Sequence, residues 1–429
     1  MSVLARRRSA PLPIPQMRGG LTAPSLVPPP PIAQQIVSVP RAVKVAMPVR
    51  LAFYLFVMSI PFEIPNRSIP LEVTTITGAL FLLVTLFTVG VAYRRIPVAL
   101  WWFVGYLWCF GLSTFFNRSD HVGEVVGLFV SFVLLIGIMW AGGNLLRDPR
   151  MMRGAILAFA FACLMRAGMQ VLGIAAHQHA EWTGGYRVTV LGQNPNYSAI
   201  ILSAGFVAVL NLRLKPVAWA AAAVIGLALI QTGSRGGLMC AVVGLMVLLW
   251  HGKTLGARLR GVGVGLVAIA LLAFAAYRSP MLRIRFEEAV KEHSLAGRER
   301  IYPAVLSMIS ERPVLGWGPV ENQYEIAARI REERLDRRDA HNILFELFST
   351  TGILGAIPFL IGLWLCTREA WRARRGPWGM LPFAMLMAVL VGCLSGTWIA
   401  SKVLWFVLAI AVGAGAYVNG GKKSEQCAV

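Results

Sequence analysis

Apolar positions run along this chain in long blocks separated by short polar connections. The blocks fall at about 49–64, 71–92, 98–115, 123–145, 152–175, 195–212, 216–232, 236–251, 260–277, 342–366, 380–397 and 400–419. Blocks of roughly 18 or more apolar residues are long enough to cross a bilayer as helix. The pattern predicts an all-α polytopic membrane protein with about 12 transmembrane helices. It divides the chain into a Pro-rich segment 1–47, nine spans over 48–277, a large loop 278–341, three spans over 342–420 and a tail 421–429. The first segment, with Arg6-Arg7-Arg8 and Pro28 to Pro31, cannot bury a core and is expected to be disordered.

Composition supports this pattern. Hydrophobic residues make up 57% and charged residues 14%, against about a quarter charged in a soluble domain. The net charge of +21 raises the question of nucleic acid, but the placement of the charge argues against it. Arg94-Arg95, Arg147, Arg150, Arg153, Arg213, Lys215, Lys253, Arg368, Arg372, Arg374 and Arg375 all sit in alternate short loops. The intervening short loops hold little more than Arg67, Arg118, Arg187, Arg235 and Lys402. That asymmetry places both termini inside and the loop 278–341 outside, since long loops escape the rule.

Three helix starts on the outer side carry polar clusters. Asn194 can cap the sixth span with Pro195 at its first position, and Thr232 or Ser234 can cap the eighth. Asp339 can cap the tenth, just before His341. Helix N-termini present free N–H groups and favour anions, so three converging ends would make a phosphate site. The large loop reads as helical pieces: Met281 to about His293, a second opening at Gly297-Arg298, and a charge-laced third over Glu321 to Arg338. In the third, Arg329, Arg331, Arg334, Arg337 and Arg338 alternate with acids and read as a solvated face.

Several short motifs then line up. They are Thr232-Gly233-Ser234-Arg235-Gly236, Gly297-Arg298 with Ile301-Tyr302, Pro313 to Gly318, and His341-Asn342 followed after nine residues by Gly352 and then Gly355. In order and spacing the chain resembles the O-antigen ligase and polymerase superfamily of bacterial envelope glycosyltransferases over residues 187 to 366. A single dominant outer loop is similar to the ligases more than to the polymerases. The resemblance implies a GT-C-like fold in the bacterial inner membrane with its active site facing the periplasm. It implies an undecaprenyl-pyrophosphate-linked glycan donor, a lipid A-core acceptor and surrounding membrane lipids as partners. It also implies catalytic roles for His341, Arg298 and Arg235, and substrate contacts by Arg187, Arg300, Asn194, Asn196, Tyr197 and Asn342.

The chemistry is plausible on its own terms. A pyrophosphate leaves readily, so transfer needs cations for the developing charge and a base for the acceptor hydroxyl. Arginine binds phosphate bidentately and histidine can take a proton near neutral pH. No Asp-x-Asp pair occurs, so no metal and no cofactor is expected.

Simpler readings stand beside these. A histidine at a membrane edge is ordinarily interfacial, and so His121 and His251 are read; His177, His179 and His293 are read as solvated. Arg235 at a helix start can snorkel. Arg166 lies inside the fifth span, where a charge is costly, and is either functional or a snorkelling side chain. The six cysteines, Cys109, Cys163, Cys240, Cys366, Cys393 and Cys427, lack metal or disulfide spacing. The competing class is a lipid or glycan transporter, but the spans are nearly free of Asp and Glu and no ATP-binding loop occurs. A protein O-oligosaccharyltransferase would differ only in its acceptor.

Overall fold

The computed structural model describes residues 45–64, 72–180, 186–212, 214–250, 255–291, 297–331 and 336–426. The expectations for residues 1–44, Arg67, Arg213, His251, Lys253, His293, Arg334 and Cys427 lie outside them. The chain runs α1 (Met47–Ser59), α2 (Val73–Thr85), α3 (Val89–Ala92), α4 (Val98–Asn117), α5 (Val122–Leu145) and α6 (Pro149–Val171). A hairpin of β1 (Ala176–Ala180) and β2 (Tyr186–Val190) follows. Then come α7 (Pro195–Leu210), α8 (Lys215–Gln231), α9 (Arg235–Leu249) and α10 (Leu255–Arg278). The large loop holds α11 (Pro280–Lys291), α12 (Arg298–Glu311) and α13 (Glu321–Arg329). The chain closes with α14 (Ile343–Ala373), α15 (Leu381–Cys393) and α16 (Lys402–Gln426).

Six helical stretches are long and apolar enough to cross a membrane, Val73–Ala92, Val98–Asn117, Val122–Leu145, Pro149–Val171, Leu259–Arg278 and Ile343–Ala373. Six shorter apolar helices occupy the positions of the other expected runs. Helix is the form an apolar run must take in lipid, where each backbone N–H and C=O needs a partner within the segment.

Three details differ from the sequence reading. The connection after α6, to which the sequence reading gave no element, holds a hairpin: β1 and β2 pair antiparallel, with His179 opposite Arg187. The third loop helix ends at Arg329, and residues 337–340 run without helix. Asp339 does not cap the tenth run. Asn342 does, its side chain accepting from Leu344 N at 2.8 Å. His341 takes a left-handed φ of 52°, so the chain turns at that point and the cap falls to the residue after it.

Small residues bring the starts of α7 and α9 together. Gly237 on α9 lies against Ala199 on α7, and a Cβ at Gly244 would come within 2.6 Å of Val207 and 3.0 Å of Ala388. Close approach at small residues is the usual route to tight helix contact in a membrane. It sets the first turns of α7 and α9 side by side.

The large loop is tied into α14 by backbone. Gly352 breaks α14 with φ 60° and ψ −163°. In a regular helix Ser349 O and Thr350 O would accept from Ile353 N and Leu354 N. Instead Ser349 O accepts from Trp317 N (2.7 Å) and Thr350 O from Gly318 N (3.0 Å). Ile353 N donates to Pro313 O (2.8 Å) and Leu354 N to Val314 O (3.3 Å). The strap 313–318 thus replaces two lost helical bonds with four. Ser113 on α4 lies 2.7 Å from Leu315 O and 2.9 Å from Thr350 O, bridging strap and helix. A small core of Ile301, Val305, Met308, Ile326 and Ala340 packs α12 and α13 onto the start of α14. Arg329, read as part of a solvated face, is half-buried there: it ties α13 to Glu311 of α12 (2.5 Å) and meets Glu325 one turn earlier on α13 (2.7 Å). Those hydrogen bonds hold the Glu311 carboxyl down at about 2.

Candidate active site

A cleft opens where the starts of α7, α9 and α12 meet the residue before the α14 cap. Asn196, Ser234, Arg235, Gly236, Arg285, Arg298, His341 and Ser395 line it. Asn194 caps α7, accepting from Asn196 N (2.9 Å) and Tyr197 N (3.3 Å). Ser234 caps α9, accepting from Gly237 N at 3.1 Å. Both caps involve residues two or three positions apart, so the local sequence suffices to place them. Gly233, at φ 61°, makes the turn into α9 where a side chain would meet Arg187 at 3.2 Å.

Polar contacts knit the cleft wall. Asn196 Oδ1 accepts from Ser234 Oγ (3.0 Å) and from Arg187 Nη2 (2.7 Å), while Arg187 Nε donates to Thr232 O (2.7 Å). The Asn196 side-chain amide nitrogen makes no bond among the described residues, which leaves a donor at the cleft. Arg235 Nη1 donates to Arg285 O (2.9 Å) and Arg285 Nη1 to Gly233 O (3.3 Å), locking α11 to the start of α9. Arg298 Nη2 donates to Ser395 O at 2.7 Å, and its Nε is buried without a partner among the described residues. Three guanidinium groups therefore border the cleft, and no carboxylate is among its lining residues. Three helix N-termini add their positive dipole ends.

His341 is partly buried at the cleft. Burial lowers its proton affinity below that of a free imidazole; the positive charges of Arg298 and Arg338 act in the same direction and Asp339 opposes them. The neutral ring, the form that accepts a proton, is thus favoured near neutral pH. Its left-handed backbone is uncommon outside glycine and costs of order 1–3 kcal/mol, a strain that concentrates at functional positions.

The structure gathers His341, Arg298, Arg235 and Asn196 at the cleft, and puts Arg187 directly behind Asn196. The others stand elsewhere. Asn194 and Asn342 serve as helix caps. Tyr197 is fully buried, donates to the Glu63 carboxylate and packs 4.8 Å from the Trp398 ring. Arg300 opens onto a separate groove with Ala304, Ser307, Arg329 and Ile330. Arg166 does not snorkel: it is 0% exposed, and donates to Gln193 Oε1 and Ser198 Oγ, each at 2.6 Å. Those two residues flank the α7 cap. His121, read as interfacial, stacks 4.0 Å from Tyr324 and lies 2.9 Å from Glu321.

Sequence reasoning missed Arg285 and Ser395. Arg285 lies on a helix foreseen as amphipathic, but nothing in its spacing sets it apart from Arg283. Ser395 lies in the polar stretch Ser395-Gly396-Thr397 at the end of the block placed at 380–397, where the helix in fact stops at Cys393. Among the described residues no three His, Cys, Asp or Glu side chains gather in a way that could hold a metal.

A family model described as O-antigen ligase matches residues 220–360. Six of the eight cleft residues fall inside that stretch, and Asn196 and Ser395 fall outside it. The chain matches no curated protein.

Proposed function

From the O-antigen ligase family domain that this multi-pass chain carries at residues 220–360, we propose that it transfers a glycan from undecaprenyl pyrophosphate to a sugar hydroxyl of lipid A-core. The reaction takes place at the periplasmic face of the bacterial inner membrane and uses twelve spans, without metal or cofactor. The observation that carries this reading is the meeting of Arg235, Arg298 and His341, from three separate segments, in one cleft.

The acceptor oxygen attacks the anomeric carbon while the bond from that carbon to the pyrophosphate oxygen breaks. The hydroxyl proton passes to His341 Nδ1 or Nε2. The pyrophosphate leaves with its negative charge held by Arg235 and Arg298, with Arg285 and the Asn196 amide beside them. Arg187 holds Asn196 in place from behind, and Asn194 and Asn342 shape the turns that present Asn196 and His341. Tyr197 and Arg300 act at one remove from the cleft.

Purified protein given lipid-linked glycan and lipid A-core, with chelator and no nucleotide, should yield glycosylated core and free undecaprenyl pyrophosphate. Lengthening of the donor glycan instead would identify a polymerase. Transfer only to a polypeptide would identify a protein O-oligosaccharyltransferase. Movement of the donor across vesicles with no bond formed would identify a transporter.

A further inference from the structure

Far from the cleft three arginines gather, and among the described residues none pairs with an acid, since Asp148 beside Arg147 caps α6 by accepting from Arg150 N. The turn Arg94-Arg95 leads into α4, and Arg147 lies just beyond the end of α5. Asn144, 9% exposed, grips the turn: its Oδ1 accepts from Arg95 N (3.2 Å) and its Nδ2 donates to Arg95 O (2.8 Å). Trp140 Nε1 donates to the same carbonyl at 2.9 Å, and the Tyr93 and Trp140 rings pack at 4.9 Å. The turn is therefore held rigidly against α5, one helical turn before Arg147. Burial and the charges of Arg95 and Arg94 all press the half-buried Arg147 guanidinium toward its neutral form.

Some arginines in the loops expected inside have local partners. Arg368 and Arg372 pair with Glu369, and Arg374 lies 4.1 Å over the Trp371 ring. Among the described residues Arg94, Arg95 and Arg147 have no ion pair. The end of α5 offers only about half a negative charge, against three positive ones. The α4 helix starts at this cluster and ends at Asn117, which donates to Gly316 O of the strap. The cluster thus lies about 30 Å from the strap, at roughly 1.5 Å per residue along α4. Beside it Phe87, Val89, Ile96, Val98 and Trp101 expose apolar surface, Phe87 at 85%.

We propose that Arg94, Arg95 and Arg147 form a binding site for the phosphate headgroup of an anionic phospholipid, whose acyl chains lie along the apolar flank of α3 and α4. Preformed guanidinium groups suit phosphate oxygens, and the adjoining exposed apolar residues select a lipid over free phosphate. The site is independent of the glycan-transfer reading.

The test is native mass spectrometry of the full chain with phosphatidylglycerol or cardiolipin against phosphatidylcholine. Wild type should retain an anionic lipid in preference to phosphatidylcholine. Each Arg→Gln change should cost about fivefold in that preference, and R94Q/R95Q/R147Q should abolish it. Arg147→Lys should keep part of it and covers the case of a triple variant that does not fold. The double variant R372Q/R374Q should bind as wild type does. A preference that survives the triple change, or single Gln changes without effect, would overturn the site. So would an equal loss in R372Q/R374Q, which would mean diffuse charge. Inorganic phosphate that displaces the lipid at equal concentration would show a free-phosphate site instead.

Discussion

Gly316 and Gly352 meet backbone to backbone: a Cβ on Gly316 would lie 2.7 Å from Gly352 N. Both hold positive φ, 67° and 60°. The contact inserts the strap into the break in α14. Arg298 opens α12, which leads into the strap, and His341 stands just ahead of α14. The weld at Gly352 therefore fixes the distance between the candidate base and one of its partner cations. The nine-residue interval from Asn342 to Gly352 is the length of helix between the cap and that weld.

Replacing Gly352 by Ala should be severe. Its φ and ψ fall in a region almost confined to glycine, at a cost of about 1–3 kcal/mol, and the methyl would strike Val314. Gly352→Ala is expected to lower the thermal unfolding midpoint and abolish transfer, whereas Gly263→Ala, with open space around it, should do neither. A Gly352→Ala protein with normal stability and turnover would show that the weld does not set the site.

His341→Ala should reduce transfer by ~10²–10⁴-fold, the usual contribution of a general base, while donor binding persists through the arginines. Turnover by the variant near the wild-type rate at neutral pH would remove His341 from that role.

The pH profile follows from the same environment. A base works once deprotonated, so activity should rise with pH through the His341 pKa and then level. Because burial and neighbouring arginines lower that pKa, the midpoint should fall below the ~6.5 of a free imidazole. Arg338→Gln should move the midpoint up and Asp339→Asn should move it down. Rates measured from pH 5 to 8 check both signs, and a shift in the opposite direction for either variant contradicts the assignment.

Arg235→Ala and Arg298→Ala should each cost ~10²–10³-fold in kcat if they stabilise the leaving pyrophosphate. Lysine at either position should restore little, since it offers a point charge rather than a planar fork. Full rescue by lysine would argue for general electrostatics. Protein level in membranes serves as the control for folding.

Cysteine introduced at Glu325 and at Arg374 should label from opposite sides of the membrane. Labelling of both from one side would defeat the twelve-span arrangement and the periplasmic placement of the cleft.

Much of this protein is legible in its sequence because the causes are local. A long apolar block must become helix in lipid, and the structure has an apolar helix at each block. Asn194 and Ser234 cap helices through bonds to residues two or three positions ahead, so neighbours alone suffice. Motif spacing led to His341, Arg298 and Arg235 without any knowledge of what lies between them. Tertiary structure decided everything that depends on helices crossing. Arg285 and Ser395 reach the cleft because α11 and the turn after α15 happen to face α9 and α12, which no spacing records. Arg166 looked able to snorkel, but the packing of α6 on α7 turned it inward onto Gln193 and Ser198. Tyr197 stands one residue from Asn196, yet on a helix adjacent side chains point about 100° apart, so Asn196 faces the cleft and Tyr197 faces Glu63. Asp339 lost the cap to Asn342 because the left-handed turn at His341 delays the helix. Sequence determined which segments are helical and which polar groups stand at their ends; the crossing of those helices determined which of the groups meet, because side-chain direction is set by packing across the chain rather than along it.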